Sequence, residues 1–365
     1  MIPVFTTDYT SILQQINNID PVKYASTRNF INGSVTYLSP YLSRGVISLS
    51  QVKDSILSKF TVYQSEKLLQ ELAWREYYQR VWQQKGNGIF TDLKNPQPDC
   101  TNVNIPSAVI NATTGIQAID EAIQILYQTG YMHNHARMYT SMLTCNIARS
   151  HWLLPAKWMY YHLLDGDLAS NMLSWQWVCG AFSSKQYYAN QENINKYAGT
   201  LQQKSFLDHG YDTIAKQPVP ETLLKTISPS LNTILPEKKS PNLDPALPLL
   251  IYNSYQLDPE WHKEIKANRV LVLEPSHFSV YPVSEKLIRF IIELAQKNIP
   301  GIQIFCGEIS DLGNLNTFPS IHHKEHPLAQ NYPGFKEPRQ WMFPEVTGYS
   351  PGFFGFWKKC EKYLR

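Results

Sequence analysis

The sequence predicts an α + α/β chain, with a large helical part followed by a smaller C-terminal α/β part. Three observations point that way. Apolar residues recur at helical spacing in long windows through the first part of the chain, and a proline-rich stretch then interrupts the pattern. After that stretch, short apolar runs alternate with a single amphipathic helix.

In chain order, helical windows cover 52–60, 65–83, 116–128, 134–152 and 168–181. The segment from Gln217 to Pro248 carries Pro218, Pro220, Pro229, Pro236, Pro241, Pro245 and Pro248 among Ser, Asn and Lys. Proline removes a backbone donor and blocks helix continuation, so this segment reads as an extended connection. Beyond it come strand runs at 249–252, 270–273 and 302–305, with a helix at 285–296 before the last of them. The expected organisation is a helical domain over 1–216, a connection over 217–248 and a small α/β domain over 249–365.

The 365 residues are 43% hydrophobic and 17% charged, which excludes intrinsic disorder. The net charge of +3 excludes a polybasic nucleic-acid binder, so contact with nucleic acid needs a local patch. No run of eighteen apolar residues appears, and the start lacks a signal-peptide pattern. Five cysteines have no ligand-like spacing, so free thiols and a cytoplasmic location are expected. There is no G-x-G-x-x-G and no Walker loop, so any nucleotide cofactor needs another architecture.

The residues able to carry chemistry cluster in four segments. In Tyr131–Met142, helical spacing puts Asn134, Arg137 and Met138 on one face, a poor face to bury unless Arg137 pairs with a carboxylate such as Asp165 or Asp167. In Asp165–Trp177, Asp167 can cap the helix that follows, Asn171 offers both donor and acceptor, and Trp175 and Trp177 point to nearly opposite sides. Glu71, Trp74 and Arg75 share a third helical face, either a surface salt-bridge face or a functional one. In the fourth, Thr36 and Ser39 lie in a loop before a helix, where hydroxyls and free N–H groups suit an anion or simply cap the helix.

Taken together, residues 20–200 resemble the flavin-binding helical domain of the DNA photolyase and cryptochrome family. The resemblance lies in Y-x-x-x-R-N from Tyr24, T-x-L-S-P-Y-L from Thr36, E-L-x-W-R-E from Glu71, T-G-Y-M-H-N from Thr129, and DGDLASN through WQW from Asp165 to Trp177. It implies an all-helical, photolyase-type domain that holds FAD. By position, Tyr24, Thr36, Leu38, Ser39 and Arg75 fall to the phosphates and ribitol, and Asn134 and Arg137 line the flavin. Asp165 and Asp167 accept from ribose and flavin polar groups, and Asn171 sits beside the flavin N5.

The same resemblance implies light-dependent repair of cyclobutane pyrimidine dimers in DNA, by electron transfer from photoexcited reduced FAD to a lesion flipped out of the duplex. Glu71 then stabilises the lesion radical anion, Trp74 and Trp177 wall the bases, Met138 packs beneath them, and Arg28 and His135 meet DNA phosphates. His135 stands where the family more usually has Arg, and is weaker at neutral pH. Asn134 and Met138 replace the two histidines of the (6-4) branch, which favours a pyrimidine-dimer substrate. Trp175 and Trp152 match the first two members of the family's electron-transfer chain. No Trp lies in 86–111 to supply the third, leaving Trp158 or Tyr160 as candidates.

Three departures support a rival reading, a blue-light photosensor without repair that acts through a protein partner, with the C-terminal domain as a candidate docking element. They are the missing third tryptophan, His135, and an α/β segment at the end of the chain instead of an antenna domain at its start. No antenna chromophore and no metal are expected. The segment IHHKEH at 321–326 offers three histidines but reads as a solvated loop. Phe353, Phe354, Phe356 and Trp357 read as core or as an interdomain contact.

Overall fold

The computed structural model describes residues 3–364. Its architecture is α + α/β: a helical assembly and one five-stranded parallel sheet. By contact the chain forms two compact units that are interleaved in sequence. Unit 1 gathers residues 3–4, Val22–Val35 and Tyr78–Leu231, and unit 2 gathers Phe5–Pro21, Thr36–Tyr77 and residues 232–364. No described helix is long and apolar enough to cross a membrane.

The helix α1, Val62–Lys85, runs from the sequence of unit 2 into that of unit 1. In unit 1 it is followed by α2 (Gln117–Thr129), α3 (Asn134–Met142), α4 (Leu153–His162) and α5 (Leu168–Cys179). Gly130 ends α2 at φ +75, where a side chain would meet Leu164 Cγ at 2.6 Å, so glycine permits both the turn and the close approach. Asp167 caps α5 by accepting from the Ser170 N–H at 2.7 Å, and Gly180 ends that helix in the left-handed region.

The expected helix over 134–152 is broken. The α-helix stops at Met142, a π turn fills Leu143–Ile147, and Arg149 takes a left-handed φ of 55 before α4 begins. Thr140 and Thr144 donate their hydroxyls back to the carbonyls of Ala136 and Thr140, at 2.8 and 2.7 Å, which loosens the ladder at this point. The proline-rich stretch is extended beyond a short helix at Glu221–Leu224 and a two-residue strand at Thr226–Ile227 that pairs with Ile105–Pro106.

In unit 2 the strands β1 (Leu249–Tyr252), β2 (Asn268–Leu273), β3 (Ile302–Cys306), β4 (Ile321–Lys324) and β5 (Phe335–Glu337) form a wholly parallel sheet in the order 3-2-1-4-5. A helix α6 (Glu285–Asn298) lies between β2 and β3, and α7 (Phe353–Cys360) follows the sheet. β1 and β2 are buried along their whole length, as strands of a covered parallel sheet are.

Here the reading of 321–326 as a solvated loop is corrected. Ile321–Lys324 is strand β4, paired with β1 on one side and β5 on the other, and His323 is only 2% exposed. Backbone pairing between two strands makes a strand here even though its side chains are polar.

The early segments of unit 2 are bound to its late ones. The Tyr9 N–H donates to Asn298 Oδ1 at 2.9 Å, and Asn298 Nδ2 donates to the Thr7 carbonyl at 2.8 Å. Arg44 lies 4.8 Å from the Tyr255 ring centroid, and its carbonyl accepts from the Leu257 N–H at 2.9 Å. The Met342 N–H donates to the buried carboxylate of Glu76.

Candidate functional site

The residues singled out from the sequence divide between the two units. Tyr24, Arg28, Asn134, His135, Arg137, Met138, Trp152, Asp165, Asp167, Asn171, Trp175 and Trp177 belong to unit 1, and Thr36, Leu38, Ser39, Glu71, Trp74 and Arg75 to unit 2.

Within unit 1, α3 and the start of α5 bring the polar groups together. Arg137 donates to both oxygens of Asp165, at 3.0 and 2.8 Å, and its Nε donates to the Met132 carbonyl at 2.8 Å. The Asp165 side chain is 3% exposed, so the pair is a well-bonded ion pair at the inner end of the α4–α5 turn. Asp167 accepts from Gln79 Nε2 through its other oxygen while it caps α5.

One turn further on, Asn171 donates to the Ala156 carbonyl at 2.8 Å, and its carboxamide oxygen takes no donor among the described residues. Ser170 Oγ and His133 Nε2 are buried with no hydrogen-bond partner. Burying such groups without a partner is costly. A planar, polar heterocycle with ribose hydroxyls would meet these donors and acceptors, so the residues present fit a flavin nucleotide.

The aromatic residues of α5 separate by face. Trp175 is 2% exposed and Trp177 is 37% exposed, with its ring 6.1 Å from that of Tyr187. Trp152 is fully buried and donates its indole N–H to Asp92 at 2.7 Å. Trp158 is buried as well and donates to the Tyr127 hydroxyl at 3.2 Å. His135 packs against His133, Tyr139 and Tyr197, and burial, with Arg28 adding to it, lowers its pKa to about 4. It is therefore neutral at pH 7. Asn134 is exposed, with its amide 3.9 Å from the Met138 sulfur.

In unit 2, Glu71 lies 3.7 Å from Lys67 on the same helix face, and Arg75 donates to the Ser43 hydroxyl at 2.9 Å. Trp74 stacks on Phe353, with ring centroids 3.8 Å apart and planes 10° from parallel. One face of the indole expected to wall a lesion is thus taken by α7. In the Thr36–Ser39 loop, Tyr37 holds a left-handed φ of 52, and Gln15 donates to the Thr36 carbonyl at 2.7 Å. The helix opening at Ser39 is only five residues long, so the loop offers individual hydroxyls more than a helix dipole.

Sequence reasoning passed over several partners. Gln79 lies four residues after Arg75, so helical spacing could have found it. Ser43 and Asp92 carried no local signal.

The helical fold and these donors and acceptors are compatible with a flavin-binding domain. The family model described as the FAD binding domain of DNA photolyase matches residues 68–220, and this segment belongs to that family. Among similar curated proteins, a deoxyribodipyrimidine photo-lyase of Streptomyces griseus is 30% identical over 145 residues, covering 39% of this chain and 31% of the relative. A cryptochrome DASH of Danio rerio is 30% identical over 209 residues, covering 54% of this chain and 38% of the relative. Among solved structures, a cryptochrome of Synechocystis sp. PCC6803 aligns with 24% identity and a TM-score of 0.49, over 54% of this chain and 44% of that one. The chain spans less than half the length of the curated relatives it matches.

Proposed function

We propose that this protein repairs cyclobutane pyrimidine dimers in DNA under blue light, using FAD. The observation that carries this reading is Trp177, an indole exposed on the same short helix as Asp167 and Asn171 and turned away from the buried Trp175. A tryptophan face open to solvent beside a flavin-type donor set is a stacking platform for an extruded base, and such stacking contributes ~1–3 kcal/mol per base.

When bound, FAD supplies a light-absorbing one-electron donor. The chain's own residues hold and surround it. On the strength of the resemblance, Arg137, which is locked by Asp165, and Asn134 would line the flavin, Asp165 and Asp167 would accept from its hydroxyl and ring donors, and Asn171, whose carboxamide oxygen takes no donor among the described residues, would lie beside it. Tyr24, Thr36, Leu38, Ser39 and Arg75 take the phosphates and ribitol on the strength of the resemblance.

The buried indoles of Trp175 and Trp152 exclude water and offer a path for reduction, with Asp92 accepting the Trp152 N–H at its end. On the strength of the resemblance alone, Glu71, Trp74, Trp177 and Met138 are the residues assigned to the lesion. Arg28 carries the phosphate contact, because a neutral His135 adds no charge there. No cysteine forms a disulfide among the described residues, which suits a cytoplasmic, reducing setting.

A second reading, blue-light signalling through a protein partner, draws on the stacking of Phe353 over Trp74. The test is to reduce the flavin-loaded protein, mix it with a dimer-containing oligonucleotide and illuminate it. Loss of dimers, diminished severalfold by Trp177→Ala with flavin content unchanged, is the expected result. Flavin-loaded, reduced protein that leaves dimers intact overturns repair in favour of signalling.

A further inference from the structure

The sheet of unit 2 carries a cluster that the flavin site does not use. His322 lies on β4 and Glu337 on β5, two rungs apart on neighbouring parallel strands, since Glu337 pairs with Lys324. His262 comes from the crossover between β1 and β2. His262 Nε2 and His322 Nδ1 approach the same oxygen, Glu337 Oε1, at 2.8 and 2.9 Å. One ligand atom from each of the three lies within 4.8 Å of the other two. In a tetrahedral zinc site with bonds of 2.0–2.2 Å, ligand atoms stand about 3.3 Å apart, so shifts of well under an ångström per group would admit an ion.

The far sides of His322 and Glu337 are also held, as outer-sphere partners hold metal ligands, and the His262 backbone is fixed beside them. Ser320 Oγ meets His322 Nε2 at 2.9 Å, and the Trp261 indole N–H donates to the second oxygen of Glu337 at 2.9 Å. Arg269, itself buried, donates to the His262 carbonyl at 2.6 Å, and His262 holds a left-handed φ of 49. On the strand side, Gly334 sits at φ +88, where a side chain would collide with the Ile321 carbonyl oxygen at 2.3 Å. The glycine therefore lets β5 close on β4, with Phe335 opposite His322 and Glu337 two rungs further along. None of the three side chains is fully buried, which leaves room for solvent in the remaining coordination positions.

We propose that His262, His322 and Glu337 form a binding site for one divalent transition-metal ion, of which zinc fits best. Two imidazoles and one carboxylate are a borderline donor set that prefers zinc to magnesium or calcium. On binding, the ion takes the place of the N–H hydrogens now directed at Glu337. It ties the 253–267 crossover to the outer strand of the sheet.

The test uses the full chain, stripped with a chelator, with zinc chloride and magnesium chloride as probes. Titration calorimetry and elemental analysis after gel filtration should show one retained zinc per chain and no heat with magnesium. His322→Ala and Glu337→Gln should each weaken zinc binding at least tenfold, while Cys100→Ser, which removes the exposed thiol, leaves it unchanged. Zinc should raise the melting temperature of the unaltered chain and not that of the two site variants. Far-UV circular dichroism and the metal-free melting temperature separate lost binding from lost folding. If a variant unfolds, His262→Gln, in the crossover rather than the sheet, is read instead. Equal zinc retention by folded site variants, loss of zinc in Cys100→Ser, or binding of magnesium as tightly as zinc overturns the proposal.

Discussion

At the residue scale, the Arg137–Asp165 pair ties the start of α3 to the turn before α5. Removing one member of a buried ion pair strands the other, so Asp165→Ala should cost about 3 kcal/mol, read as a lowered urea midpoint, together with loss of bound flavin. A second expectation concerns acid. Burial first, then neighbouring positive charge, lowers both His133 and His135 to about 4, against ~6.5 in the unfolded chain. The unfolded chain therefore takes up protons that the folded one refuses. Stability is full above about pH 6.5 and falls as the pH drops toward 4. Urea midpoints measured across that range should decline, and His135→Gln should flatten the decline. Both histidines could be read in TGYMHNHARM, but the burial of His135 could not, because it depends on Tyr197, which packs against it from elsewhere.

At the element scale, apolar spacing was a sound guide wherever an element buries a regular stripe, as in 117–129 and 285–298. It failed in two ways. Leu143, Cys145, Ile147 and Trp152 keep the apolar density going through 143–152, so the π turn and the left-handed Arg149 were invisible there. β4 and β5 read IHHK and FKE, and their strand character comes from backbone pairing, which a single-strand pattern does not display. Phe353, Phe356 and Trp357 are core as expected, though their partner was not legible, and Phe354 departs from that expectation at 75% exposure. Trp74 and Phe353 stack across a long sequence separation, and Tyr77 meets the same phenyl ring edge-on, with centroids 6.0 Å apart. Phe353→Ala should therefore cost about 3–5 kcal/mol, seen in the thermal melt together with a shift in tryptophan emission as Trp74 loses its cover.

At the scale of the whole molecule, interleaving is what sequence reading left out. A division in chain order assigns residues 5–21 and 36–77 to the helical part, whereas by contact they group with residues 232–364. The bonds from Tyr9 to Asn298 and from Glu76 to Met342 span most of the chain. A fragment ending at residue 231 should accordingly lack a cooperative melt and aggregate, and adding the 232–365 fragment in trans should restore part of the folded signal. A sharp two-state melt of the shorter fragment alone would count against this. The Arg137–Asp165 pair of unit 1 was the most legible part of the protein, because short local motifs carry both residues. The His262, His322 and Glu337 cluster was the least legible, since it is assembled by a crossover and two strands.

The pairing of residue 9 with residue 298 also has a temporal side. Ribosomes add about 5–20 residues per second, and the two partners stand 289 positions apart, so the first helix emerges about 15–60 s before its docking surface exists. During that interval its apolar side chains, Ile12 and Ile16, have native cover only from early elements such as the helix at Leu49–Leu57. A nascent chain of this kind depends on chaperones holding its leading end until synthesis nears completion.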